Sequence, residues 1–170
     1  MIKFSMYPLN NLEISRKVIF FPFLLMVTGC LTAGTHGSIK SYTFPVTKSV
    51  LQKTVIDVIS KRPNIRIAPI TDTFTSKYYN DGERYLTIEI AVNGATNEYI
   101  FQYTGSKEDW GTSKVSEISI AYAFDNKNAG GSEGNGNLTS DNIRLRHKLI
   151  SVFENEFIDR IDTLLKTKSY

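Results

Sequence analysis

Between Leu86 and Tyr103 the chain reads LTIEIAVNGATNEYIFQY, and this stretch constrains the fold more than any other. Leu86, Ile88, Ile90 and Val92 alternate with Thr87, Glu89 and Ala91, and Asn93-Gly94 then favours a tight turn. On the return, Tyr99, Phe101 and Tyr103 alternate with Glu98, Ile100 and Gln102. With Asn93-Gly94 as the loop, Ile88 faces Tyr99 and Leu86 faces Phe101. With Gly94-Ala95 as the loop, Ile90 faces Tyr99 and Ile88 faces Phe101. Side chains alternate with period two, so both registers set apolar residues opposite apolar ones. Either way the chain contains an antiparallel hairpin with one apolar face.

The flanking segments extend this sheet and cover it. Ser38 to Phe44 reads as a short strand ended by Pro45. Leu51, Val55, Val58 and Ile59 recur at helical spacing and predict an amphipathic helix over 48–61. Thr47 or Ser49 can cap it, Ser49 with Gln52 fits a capping box, and Pro63-Asn64 stops it. Asn64 to Ile70 reads as a short edge strand because of Pro69, and Asn80-Asp81-Gly82 as a turn. A third strand, Lys114 to Phe124, is expected to place Ile118, Ile120, Tyr122 and Phe124 on one face. Before it lies a polar hairpin loop, TGSKEDWGTSK, with the single Trp110; after it comes a Gly/Asn-rich loop, 125–137. A long helix from about Asp141 to Lys166 closes the chain, with Leu145, Leu149, Val152, Phe153, Phe157, Ile161 and Leu164 as its apolar stripe. The expected class is α+β: an antiparallel meander sheet with two helices packed on one face. The arrangement resembles helix-grip two-layer folds, an analogy that carries no function.

The amino-terminal thirty residues follow a different logic. Arg16 and Lys17 precede an apolar run, Val18 to Val27, broken only by Pro22. A membrane-spanning helix needs ~20 such residues, so the run matches the core of a secretory signal instead. It ends in Val27-Thr28-Gly29-Cys30, and Cys30 is the only cysteine. These four residues resemble the lipobox of bacterial lipoproteins. The resemblance implies that the Cys30 thiol receives a diacylglyceryl group, that the chain is cut before Cys30, and that the new amino terminus is acylated. Two or three acyl chains on one residue anchor permanently, whereas one binds only marginally. The expected organisation is a signal peptide over 1–29, a lipidated tether over 30–37 and a single α+β domain over 38–170. Leu31 follows the cysteine where many inner-membrane lipoproteins carry aspartate, so the resemblance implies the outer membrane, facing the periplasm.

Three of the 20 basic residues (Lys3, Arg16, Lys17) and one of the 17 acidic residues (Glu13) fall in 1–29, so the formal balance drops from +3 to +1 downstream. Composition therefore argues against nucleic acid as a partner and gives no case for a polybasic membrane patch.

Candidate chemistry is sparse. His36 and His147 have no clustered partners at metal-ligand spacing, and Asp125, Asn126, Asn128 and Glu133 miss the calcium-loop pattern. No metal site and no cofactor is expected. Glu89, Glu98 and Glu117 share strand parity with Thr87, Gln102, Ser119, Ala121 and Ala123, which reads as a solvated sheet face, with Ile100 out of place. Tyr99, Phe101, Tyr103, Tyr122 and Phe124 share parity with the aliphatic set and read as core. Trp110 is the candidate partner contact, set against the alternative that it folds back on its own hairpin.

The resulting expectation is a membrane-anchored, non-catalytic envelope lipoprotein, held by membrane lipid through Cys30, that binds or helps assemble a protein or cell-wall partner. Two alternatives stand beside it. One is an envelope inhibitor or immunity protein acting against a toxin or lysozyme-like enzyme through the loops at 106–113 or 125–140. The other is a small cell-wall hydrolase using the sheet-face carboxylates, which requires a deep cleft at Glu89 or Glu117.

Overall fold

The computed structural model describes residues 38–69, 77–132, 138 and 142–170. The lipobox residues Val27, Thr28, Gly29 and Cys30, the tether and His36 lie outside the described residues. The element order is β1 (Lys40–Phe44), α1 (Lys48–Lys61), β2 (Ile65–Ile67), β3 (Tyr85–Val92), β4 (Ala95–Tyr103), α2 (Lys107–Thr112), β5 (Ser116–Phe124), β6 (Gly130–Gly131) and α3 (Ile143–Phe153), which runs through a π-helical turn (Glu154–Ile158) into α4 (Asp159–Leu165).

The fold is α+β. Among the described residues six strands form one antiparallel sheet in the order β1-β5-β4-β3-β2, with β6 paired to β5. Strands β2 to β5 are a meander, and β1 adds to its β5 edge. Asn93 (φ 52°) and Gly94 (φ 77°) both adopt positive φ, as a two-residue type I′ turn requires. This selects the first of the two registers: Ile88 faces Tyr99 and Leu86 faces Phe101.

One face of the sheet holds the core. Leu51, Val55 and Val58 of α1, with Leu149, Phe153, Phe157 and Ile161 of the terminal helix, pack with Ile88, Ile90, Tyr99, Phe101, Ile118 and Ile120. Full burial of each such side chain contributes roughly 1.5–3 kcal/mol. The Tyr99 hydroxyl, inside this core, donates to the Leu149 carbonyl at 2.9 Å. Helix α1 spans the residues its periodicity predicts. Its cap is Thr47, whose hydroxyl accepts from the Val50 amide; Gln52 does not close a box with Ser49 but reaches the carbonyls of Gly82 and Glu83.

Three features depart from the pattern read in the sequence. The loop after β4 contains α2, a short helix closed by a reciprocal Ser106/Asp109 capping box; six residues are too few to show a period. The terminal helix changes phase at its π turn, which inserts one residue per turn relative to an α-helix. Ile158 is therefore buried while Leu164 is 45% exposed, and Leu165 packs on the core in its place. The third departure lies in β5. Its pairing with β4 shifts between Ile100 and Phe101: Tyr122 opposes Ile100 while Ile120 opposes Phe101, leaving Ala121 unopposed. This β-bulge reverses the parity downstream. Ala123 enters the core at 1% exposure, and Tyr122 and Phe124 move to the opposite face, contrary to the single-faced strand expected.

Candidate functional site

The face turned away from α1, α3 and α4 is built in rows, because residues paired across antiparallel strands project on the same side. The register gives Ser41–Ser119–Gln102–Tyr85 as one row, Tyr122–Ile100–Thr87 as the next and Phe124–Glu98–Glu89–Arg66 as a third. The face is hydroxyl-rich at one end, aromatic in the middle and acidic at the other end.

The aromatic middle is where the structure adds most to the sequence. Tyr79 contacts Tyr85 of β3 (ring centres 5.2 Å apart) and Tyr122 of β5 (5.5 Å). It therefore lies across the intervening strand β4, over the row that contains Ile100, and the apolar misfit of that face has a cover. Its hydroxyl meets that of Tyr122 at 3.4 Å. Tyr78 packs edge-on to Tyr79 at 4.9 Å and against Tyr85 at 5.3 Å, yet it remains 47% exposed. Beyond Tyr122, the Phe124 ring lies parallel to it, 6.3 Å away at 8°.

This platform is held in place by its backbone. The Asp81 carboxylate accepts from the amides of Glu83, Arg84 and Tyr85. Asn80 donates to the Ala68 carbonyl and accepts from the Thr87 amide, while the Thr87 hydroxyl donates to the Tyr79 carbonyl. An aromatic surface fixed in this way loses little side-chain entropy when something binds to it. Strand parity gives no access to Tyr78 and Tyr79, which precede β3. The turn signal at Asn80-Asp81-Gly82 marks where the chain folds back.

The carboxylates are spread along the face. Glu89 and Glu98 stand directly opposite each other on β3 and β4. Arg66 pairs with Glu89, whereas Glu98 has no hydrogen-bond or ion-pair partner among the described residues. Burial, and then the charge of Glu89, push the Glu98 carboxyl up from its ordinary value. Glu117 lies roughly 20 Å away along β5, where it accepts from Ser119 at 2.9 Å. The Ser119 hydroxyl also meets Ser41 at 2.8 Å and Thr104 at 3.0 Å. The recess beside Glu89, lined by Asn64, Arg66, Ala91 and Thr96 among others, holds about 230 Å³, below the range of ordinary small-molecule sites.

Trp110 lies outside this surface. Half-buried, it donates its indole N–H to the Thr104 carbonyl at 2.9 Å and stacks over the ammonium of Lys48. It thus folds back onto its own hairpin. His147 is exposed on α3. Among the described residues no group of three or more His, Cys, Asp or Glu is placed to hold a metal ion, and no helix is long and apolar enough to cross a membrane. Comparison with protein-family models, with curated proteins and with solved structures returns no match to this chain.

Proposed function

We propose that this protein is a non-catalytic lipoprotein of the bacterial envelope, anchored through Cys30, that holds a protein or cell-wall partner on the open face of its sheet. The observation that carries the binding part is the preorganised tyrosine platform beside Glu98, which has no hydrogen-bond or ion-pair partner among the described residues. Tyrosines offer large, rigid contact area at low entropic cost, and Glu98 favours a partner that brings a basic group. The lipobox resemblance at 27–30 carries the anchoring part, and Leu31 favours the outer membrane. The small recess at Glu89 and the pairing of that carboxylate with Arg66 weigh against the hydrolase alternative. The inhibitor alternative would use the 106–113 segment, which carries a short capped helix, or the 125–140 segment.

Photocrosslinking in intact cells tests the surface. A photoreactive residue at Tyr78 or Tyr122 is expected to give a discrete adduct, and one at Ile56, exposed on α1 in the other layer, is not. Adducts from Ile56 alone, or none from the tyrosine positions, would overturn the assignment.

A further inference from the structure

The strands and helices place the chain's entry point beside an uneven distribution of charge. β1 runs antiparallel to β5, with Lys40 opposite Ile120 at the middle of that strand, so the chain enters the sheet from the direction of the end of β5. The Arg146 side chain donates to the carbonyl of Ile39, which fixes the first turns of α3 against this point as well. Arg144, His147 and Lys148 stand at i, i+3 and i+4 on α3, share one helix face and are all exposed. Lys127 is exposed at the tip of the turn leaving β5. The Asp125 carboxylate in that turn is occupied by the amides of Lys127 and Ala129, each at 2.9 Å, and it feels the charges of both Lys148 and Lys127. The Tyr99 hydroxyl donates to the Leu149 carbonyl and Tyr99 stands opposite Ala123, so Lys148 lies level with the end of β5 and shares this end of the body with Lys127. Among the described residues the next acid along this helix is Glu154, which Lys40 engages.

We infer that this end of the body, presenting Lys127, Arg144, His147 and Lys148, is a contact surface for an anionic lipid headgroup layer. The inference rests on the anchored reading above, and tether length commits the surface to that occupant. Residues 30–37 span at most about 30 Å, the limit set by backbone dimensions. The tether thus lets the end where the chain enters rest on the lipid surface, inside the screening length of ~8 Å at physiological salt. Cations at that distance are attracted by anionic lipid. The near-neutral balance of the whole body hides this patch because it averages over both ends. Bound in this way, the protein has a fixed attitude on the membrane.

The test uses the full acylated protein, extracted from membranes and inserted into vesicles of phosphatidylcholine alone or mixed with phosphatidylglycerol. Acylation consumes the only native thiol, so H147C supplies a single site for an environment-sensitive fluorophore. The expected result is that the protein floats with both vesicles, while headgroup-borne quenchers quench the label at least tenfold more effectively in the anionic vesicles. Added salt, or the triple reversal K127E/R144E/K148E, should abolish that difference without changing flotation. A label equally quenched in both vesicles, or insensitive to the triple reversal, overturns the patch and leaves the anchor intact. Failure to float with neutral vesicles overturns both.

Discussion

The ammonium of Lys48 lies 3.1 Å from the centre of the Trp110 ring, with the Glu83 carbonyl accepting from it at 2.6 Å. Lys48 opens α1, and Trp110 lies on the short helix between β4 and β5, so this contact clasps two elements far apart in sequence. Burial pulls the Lys48 ammonium below its usual range, opposed by the charges of Glu83 and Asp81. Trp110→Ala exposes the cation and removes the ring, and is expected to cost about 1–3 kcal/mol in urea unfolding. Trp110→Phe should recover part of that loss. Because the clasp is on the helix side of the sheet, neither change should alter crosslinking from Tyr122; loss of crosslinking without loss of stability would make Trp110 a partner contact instead.

Glu98 gives the fold a pH dependence with a defined sign. Its folded-state pKa is raised by burial and by Glu89, so the native state binds its proton more tightly than the unfolded chain does. The stabilisation is present below the ordinary glutamate value and is lost as pH rises through the raised one. Glu98→Gln is therefore expected to raise the melting temperature at pH 7 and to leave it nearly unchanged at pH 3. An equal shift at both pH values would contradict this electrostatic origin.

Arg144 is expected to trade stability for contact. The first turn of α3 holds no acid and carries this cation at the positive end of the helix dipole. Arg144→Glu should stabilise the domain by about 0.3–1 kcal/mol in urea unfolding at low salt, while weakening its contact with anionic vesicles. A destabilised variant would give Arg144 a structural role instead.

Gly130 keeps β6 against β5. A Cβ there would lie 2.0 Å from the Ala123 carbonyl oxygen and 2.8 Å from the Phe124 Cα. Gly130→Ala must displace the pairing behind Phe124, at an expected cost of about 1–3 kcal/mol. Crosslinking from Tyr122 should weaken with it, since Phe124 packs beside that ring. An unchanged unfolding midpoint would show that β6 does not hold this edge.

Much of the fold is legible in particular residues. The alternation from Leu86 to Val92 and the Asn93-Gly94 turn specify the central hairpin, and the spacing of Leu51, Val55 and Val58 specifies α1. Strict alternation cannot reveal the bulge at Ala121, because both parities of β5 carry residues able to be buried. The faces of Tyr122, Ala123 and Phe124 are consequently reversed. The π turn hides in the same way: the sequence around Phe157 and Ile158 offers apolar residues to either phase. The candidate surface was only half readable. Glu89 and Glu98 lie on its face by parity alone, but the tyrosines that make it a platform come from a segment before β3, placed there by Asn80 and Asp81 hydrogen bonds. The basic end is invisible to composition because Lys127 and the cations of α3 are brought to one end of the body only by the fold.

The proposed location and attitude both rest on the sulfur of Cys30. Intact-mass spectrometry of the protein extracted from membranes should show a chain that starts at Cys30 and carries a diacylglyceryl group, with a further acyl chain on its amino terminus. A mature chain that starts elsewhere, or one whose Cys30 thiol is free, would contradict the anchored reading.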